Sequence, residues 1–185
     1  SNTSVLRTSI SDSCTICLLG THSSNGTWCK VCTNGTYTNT IGQSECLDCE
    51  PGYVCTNGLR QYPPLGYYAL HGFSYPCPVY SYSDIVGPVT SCIASPPGYY
   101  INDTAVYDII GYKCPVGHYC PSNATQQPQP CPSGTHRDIS GATSIIDCDD
   151  CSPGSHCPYP ATVVPMTCDV PGYCEESSVT PRNCP

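Results

Sequence analysis

The chain has 185 residues, 18 of them Cys, with 20 Pro and 16 Gly, while Leu, Ile, Val and Phe together make up only about a sixth of it. That cysteine density belongs to disulfide scaffolds and excludes an ordinary cytosolic domain, and so few large aliphatics exclude one big hydrocarbon core. Six Lys and Arg face 14 Asp and Glu, for a net charge of −8, so nothing supplies the basic field that nucleic acid or an anionic membrane surface requires.

Taken in order, residues 1–13 contain no Cys, Gly or Pro and carry Val5, Leu6 and Ile10, the composition of an extended arm lying on a neighbour. Cysteine-rich repeats follow over 14–57. Their first element is Cys-x-x-Cys-x-x-Gly-x-(Tyr or His), at Cys14-Thr-Ile-Cys17-Leu-Leu-Gly20-Thr-His22 and at Cys29-Lys-Val-Cys32-Thr-Asn-Gly35-Thr-Tyr37. A further Cys stands 12 to 17 residues after the opening one, giving Cys17 to Cys29, Cys32 to Cys46 and, later, Cys131 to Cys148. These read as small loops, each closed by its own bridge, and each stabilised by about 3 kcal/mol in the chain-entropy account.

The second element is Cys-x5-Cys with Gly near its middle, as in Cys49-Glu-Pro-Gly-Tyr-Val-Cys55, Cys114-Pro-Val-Gly-His-Tyr-Cys120, Cys151-Ser-Pro-Gly-Ser-His-Cys157 and Cys168-Asp-Val-Pro-Gly-Tyr-Cys174. Pro fixes φ at the second turn position and Gly supplies the positive φ of a type II turn, which sets a tight turn between two bonded cysteines. Between these copies, residues 58–113 hold only Cys77 and Cys92 and are rich in Tyr. Val79-Tyr80-Ser81-Tyr82 and the run Ala105–Ile110 predict short strands, and the stretch reads as an insert with a small sheet of its own. Tyr67, Tyr68, Tyr80, Tyr82, Tyr99 and Tyr100 are its candidate contact surface, with local packing as the plainer role. Cysteine-rich repeats resume over 114–185, the last one incomplete.

The motifs Cys-Pro-x-Gly-x-(Tyr/His) and Cys-x-x-Cys-x-Pro-Gly resemble the ephrin-receptor-like cysteine-rich repeat over residues 14–55 and 114–185, and more loosely the modules of tumour necrosis factor receptors and growth-factor receptors. The resemblance implies a small disulfide-rich fold of loops and short β-hairpins, arranged as elongated tandem modules. Carried onto this chain, the receptor pattern implies the pairs Cys131–Cys148, Cys151–Cys168 and Cys157–Cys174. Cys49, Cys55, Cys77, Cys92, Cys114 and Cys120 alone allow 15 connectivities, and the choice among them stays open.

Cys184-Pro185 begins a repeat as Cys131-Pro132 does, and laying the end of one copy against the start of another places Cys14 15 positions after Cys184. The expectation is an inter-copy junction between Cys184 and Cys14, made within a continuous tandem polypeptide or by docked subunits; the plainer expectation is an excised piece of a receptor-like ectodomain. With no apolar run long enough to span a bilayer and no basic and apolar leader, an extracellular or cell-surface segment without membrane insertion is expected. Sequons at Asn2, Asn25, Asn34, Asn102 and Asn123 call for N-linked glycans, and clustered Ser, Thr and Pro leave room for O-linked ones.

Catalytic chemistry finds no constellation. Neither a Gly-x-Ser-x-Gly elbow nor a His-Glu-x-x-His helix occurs, so no enzyme and no cofactor beyond glycans are expected. Cys29-x-x-Cys32 and Cys46-x-x-Cys49 have a zinc-like form, but the oxidising setting favours disulfides, and no metal is assigned. His22, His71, His118, His136 and His156 read as structural, and Asp147, Asp149, Asp150, Glu175 and Glu176 as solvated turns. The function expected is a structural subunit or repeat of an extracellular glycosylated filament or surface layer, copies joining head to tail. The alternative is a receptor or adhesin ectodomain fragment that holds a protein or glycan ligand.

Overall fold

A computed structural model describes residues 16–26, 28–121 and 127–184. Among the described residues there is no α-helix, only two 3₁₀ turns at Ile110–Tyr112 and Ile145–Asp147. Eighteen short strands, β1 to β18 in chain order, form nine antiparallel two-stranded hairpins among the described residues. The fold is small, disulfide-rich and mostly β and loop.

The chain divides into two compact units, Ser1–Pro76 with Ile85–Ser91, and Cys77–Asp84 with Cys92–Pro185, so the division falls inside the Tyr-rich stretch. In the first unit β1 (Thr21–His22) pairs with β2 (Lys30–Val31), β3 (Thr36–Tyr37) with β4 (Leu47–Asp48), β5 (Val54–Thr56) with β6 (Leu59–Gln61), and β7 (Tyr67–Leu70) with β8 (Phe73–Pro76). The second unit pairs β9 (Ser81–Tyr82) with β10 (Ile93–Ala94), β11 (His118–Tyr119) with β12 (Gln129–Pro130), β13 (Thr135–His136) with β14 (Asp149–Asp150), β15 (Ser155–His156) with β16 (Met166–Thr167), and β17 (Gly172–Tyr173) with β18 (Arg182–Asn183). A single bridge between Tyr99 and Lys113 marks one more hairpin.

One turn starts almost every hairpin. The carbonyl of its first residue accepts from the N–H of the fourth, as in Leu18 from Thr21, Thr33 from Thr36, Glu50 from Tyr53, Pro64 from Tyr67, Pro96 from Tyr99, Pro115 from His118, Pro132 from Thr135 and Ser152 from Ser155. The third residue of each is a Gly at φ between +75° and +89°, the conformation a type II turn demands. In the turn Pro78–Ser81 that place is taken by Tyr80, at φ +67°. The turn after Cys168 differs: its Pro stands one place later, the Val170–Pro171 peptide is cis, and Gly172 itself donates to Asp169.

The Tyr-rich stretch therefore does not interrupt the repeat, as its sparse cysteines suggested, but continues the same turns. Nor is Ala105–Ile110 a strand. Ala105 sits at φ +58°, its N–H bonds to Cys77 O, the Val106 carbonyl accepts from Ser83, and Asp108 Oδ1 accepts from Ile110 N–H. Those bonds use the backbone groups a ladder would need and start the 3₁₀ turn instead.

Successive hairpins are stitched by the same bonds. The turn glycines Gly35, Gly52, Gly98, Gly117, Gly134 and Gly154 donate to Cys55, Ala69, Cys120, Arg137, Cys157 and Cys174, each in the following hairpin. What is buried between them is chiefly cystine sulfur; Val89, Ile101 and Val106 are the only buried Val, Leu or Ile side chains among the described residues.

Candidate functional site: cystine ladder and exposed face

The residue before a turn is usually Cys, and its bonding follows one rule. Where the residue preceding the hairpin's second strand is also Cys, the bridge crosses the hairpin, giving Cys17–Cys29, Cys32–Cys46, Cys77–Cys92 and Cys131–Cys148. Where that place holds Gly58, Pro128, Pro165 or Pro181, the opening Cys instead closes on the sixth residue after it, giving Cys49–Cys55, Cys114–Cys120, Cys151–Cys157 and Cys168–Cys174. The pairs Cys151–Cys168 and Cys157–Cys174 implied by the receptor pattern are thus replaced. Cys168 is the opener of its own hairpin, with its N–H on Gly154 O, while Cys157 follows β15 and lies within 6.2 Å of Cys151 by Cα.

Cys184 is a free, exposed thiol. It directly follows β18 and donates its N–H to Pro171 O. Cys32, Cys49, Cys114, Cys131, Cys151 and Cys168 hold the same place, donating to Gly20, Gly35, Gly98, Gly117, Gly134 and Gly154, and all six are half-cystines. Cys14, the other half of the expected junction, lies outside the described residues.

Of the sequons, Asn25, Asn34 and Asn102 are exposed; Asn2 and Asn123 lie outside the described residues. Tyr67, Tyr68, Tyr80, Tyr82, Tyr99 and Tyr100, read from sequence as a contact surface, are all half-buried. Tyr68 packs on Tyr75 at 5.7 Å and Tyr80 on Tyr100 at 6.0 Å between ring centroids. Their alternation follows hairpin packing, which leaves Tyr62, Tyr107 and Tyr159 as the more exposed rings.

The best-built polar cluster was invisible in the sequence because its members come from two hairpins, Tyr37 from β3–β4 and Glu50, Tyr53 and Arg60 from β5–β6 with its opening turn. Buried Tyr37 donates to Glu50 Oε1 at 2.9 Å, and the Arg60 guanidinium pairs with Glu50 while lying over the Tyr53 and Tyr37 rings at 4.6 and 5.2 Å. Burial, and then the Glu50 carboxylate, raise the Tyr37 phenol; the Tyr37 hydrogen bond, and then that from Arg60, hold the Glu50 carboxyl below its ordinary range. Every group here is satisfied, and the cluster locks hairpins together.

The acidic triplet is similarly occupied. Asp147 accepts from the backbone and hydroxyl of Thr143 and from Ser144 N–H, which lowers its carboxyl and caps the 3₁₀ turn. Asp149 pairs with Arg137 at 3.2 Å, and Asp150 accepts from Ser177 at 2.6 Å. Two groups have the make-up of metal ligands, His22 with Cys32 and Cys46, and His156 with Cys168 and Cys174. In both, the sulfurs are already joined to each other, so the thiolates that would bind zinc are absent; His22 Nδ1 instead rests 3.0 Å from Cys46 Sγ.

Turns, hairpins and bridges of this kind make a disulfide-rich module of the type that oxidising, extracellular settings favour, and among the described residues no helix is long and apolar enough to cross a membrane. Residues 112–148 match the family described as tyrosine-protein kinase ephrin type A/B receptor-like. That segment spans the Gly117 and Gly134 turns and the Cys114–Cys120 and Cys131–Cys148 bridges, so the resemblance read from Cys-Pro-x-Gly-x-(Tyr/His) holds there. No curated protein matches the chain.

Proposed function

We propose that the chain is a structural repeat of a glycosylated extracellular filament or surface layer, extended head to tail by copies of itself, with no catalytic or cofactor role. One observation carries this reading. A Cβ on Gly20, Gly98, Gly117 or Gly134 would stand 2.4 to 2.8 Å from a backbone carbonyl two hairpins further along, at Asn57, Gly141, Ala161 and Ser177. Gly154 forms the same turn at φ +87°, yet no described residue comes within 4 Å of that point. On this reading, a following copy would complete the hairpin begun at Cys184 and supply the carbonyl that fills the gap.

Repeats that stack on their neighbours through uniform backbone bonds can be extended without limit. Laid end to end, a following copy puts Cys14 15 positions after Cys184, among the separations of 12, 14, 15 and 17 of the bridges that cross a hairpin. Glycans on Asn25, Asn34 and Asn102 suit an exposed fibre of low charge, and Asn2 and Asn123 offer two more sites.

The test is mass spectrometry of material from its native source, alkylated before denaturation. A species larger than one 19.7 kDa copy, an unalkylated Cys184 and a peptide linking Cys184 to Cys14 are expected. Reduction distinguishes docked subunits, which fall to single copies, from one continuous polypeptide, which does not. Single copies before reduction, with Cys184 fully alkylated, would sink the reading. The family match over 112–148 favours a second reading, a ligand-binding ectodomain, which predicts discrete particles rather than periodic density by electron microscopy.

A further inference from the structure

Trp28 is the chain's one tryptophan, and it is 70% exposed. Other apolar side chains of the chain are as open to water, as single surface residues commonly are, but the neighbours of this ring give it a use. Trp28 shares an open depression with His22, Ser23, Ser24, Asn25 and Lys30, and Asn25 is the acceptor of the sequon Asn25-Gly26-Thr27. We propose that Trp28 is the seat of the first sugar of an N-glycan on Asn25: the indole covers the apolar face of the pyranose, and the polar wall meets its hydroxyl and acetamido groups.

Two further features fit that occupant. Trp28 precedes Cys29, which is bonded to Cys17, so the backbone that carries the ring is anchored. At ≈ 230 Å³ the depression falls below the roughly 300–1,000 Å³ of pockets for drug-sized ligands and is on the scale of one sugar ring. Asn34 makes a contrast: it sits at the corner of an exposed turn, Thr33 to Thr36, outside this depression.

The modification itself is the ordinary group transfer. The Asn25 amide nitrogen bonds to the anomeric carbon of a lipid-diphosphate-linked oligosaccharide, the bond from that carbon to the diphosphate oxygen breaks, and the lipid diphosphate leaves with the electron pair. One amide proton passes to a base of the transferase. The proposal rests on the glycosylated surface proposed above.

A lone tryptophan makes the test direct. The full chain is secreted from cells that make oligomannose glycans, and acrylamide quenching of the Trp28 emission is followed on folded protein. Trimming to a single N-acetylglucosamine with an endoglycosidase should leave quenching unchanged. Removing that sugar with an amidase frees one face of a two-faced ring, so the quenching constant should rise about twofold and the emission shift to the red. Asn25→Gln should reproduce the change, while Asn34→Gln should not. An unoccupied Asn25 overturns the glycan reading at this site and the proposal with it. An occupied Asn25 whose removal leaves quenching unchanged overturns the sugar seat alone.

Discussion

At the scale of single residues, position in the ladder decides what a side chain does. Gly117 and Gly154 occupy equivalent turns at φ +75° and +87°, but a Cβ on Gly117 would stand 2.4 Å from Ala161 O whereas one on Gly154 would meet no described atom. Gly154→Ala in an isolated copy then costs only the left-handed strain, about 1–2 kcal/mol. Gly117→Ala adds a backbone displacement and should cost roughly twice that, read as the difference in urea midpoints; equal costs would show that the close approach is not part of the packing. Glu50 gives a pH prediction. Its carboxyl is held low on folding by Tyr37 and then Arg60, so the stability it contributes is complete above the ordinary glutamate range and is lost as pH falls through the lowered value. Acidification should lower the melting temperature less in Glu50→Gln than in the unaltered chain.

At the scale of the element, the unit is a turn, a hairpin and one bridge, and the bridge's route follows from what precedes the second strand. Peptide mapping without reduction should recover Cys151 with Cys157 and Cys168 with Cys174; recovery of Cys151 with Cys168 would overturn the rule. Closing a loop of six residues rather than 17 is worth about 2 rather than about 3 kcal/mol in the chain-entropy account. Removing Cys151 and Cys157 together should therefore destabilise less than removing Cys131 and Cys148. The turns were legible in the sequence because Pro and Gly impose their dihedrals locally, and three of the four bridges that cross a hairpin were legible from spacing, while Cys77–Cys92 was among the pairings left open. The continuation through Pro64, Pro78 and Pro96 was not, because two of those turns lack an opening Cys and one places Tyr80 where Gly is expected. The cluster of Tyr37, Glu50 and Arg60 was hidden for another reason: its contacts join two successive hairpins, which no local pattern encodes.

For the whole molecule, the absence of a large aliphatic core shifts stability onto sulfur. Eight bridges close loops of 6 to 17 residues, each worth about 2–3 kcal/mol, and their sum exceeds the roughly 5–15 kcal/mol by which a folded domain outlasts its unfolded chain. Burial cannot replace them, since most of the buried hydrophobic residues are themselves cysteines. Excess reducing agent at neutral pH, with no denaturant, should therefore collapse both units, seen as loss of near-ultraviolet circular dichroism and of amide protection. Removing any one bridge by paired substitution should leave both standing, because a loss of 2–3 kcal/mol falls short of that margin. A chain that kept its amide protection with all eight bridges reduced would mean that hairpin stacking, and not covalent closure, holds the ladder.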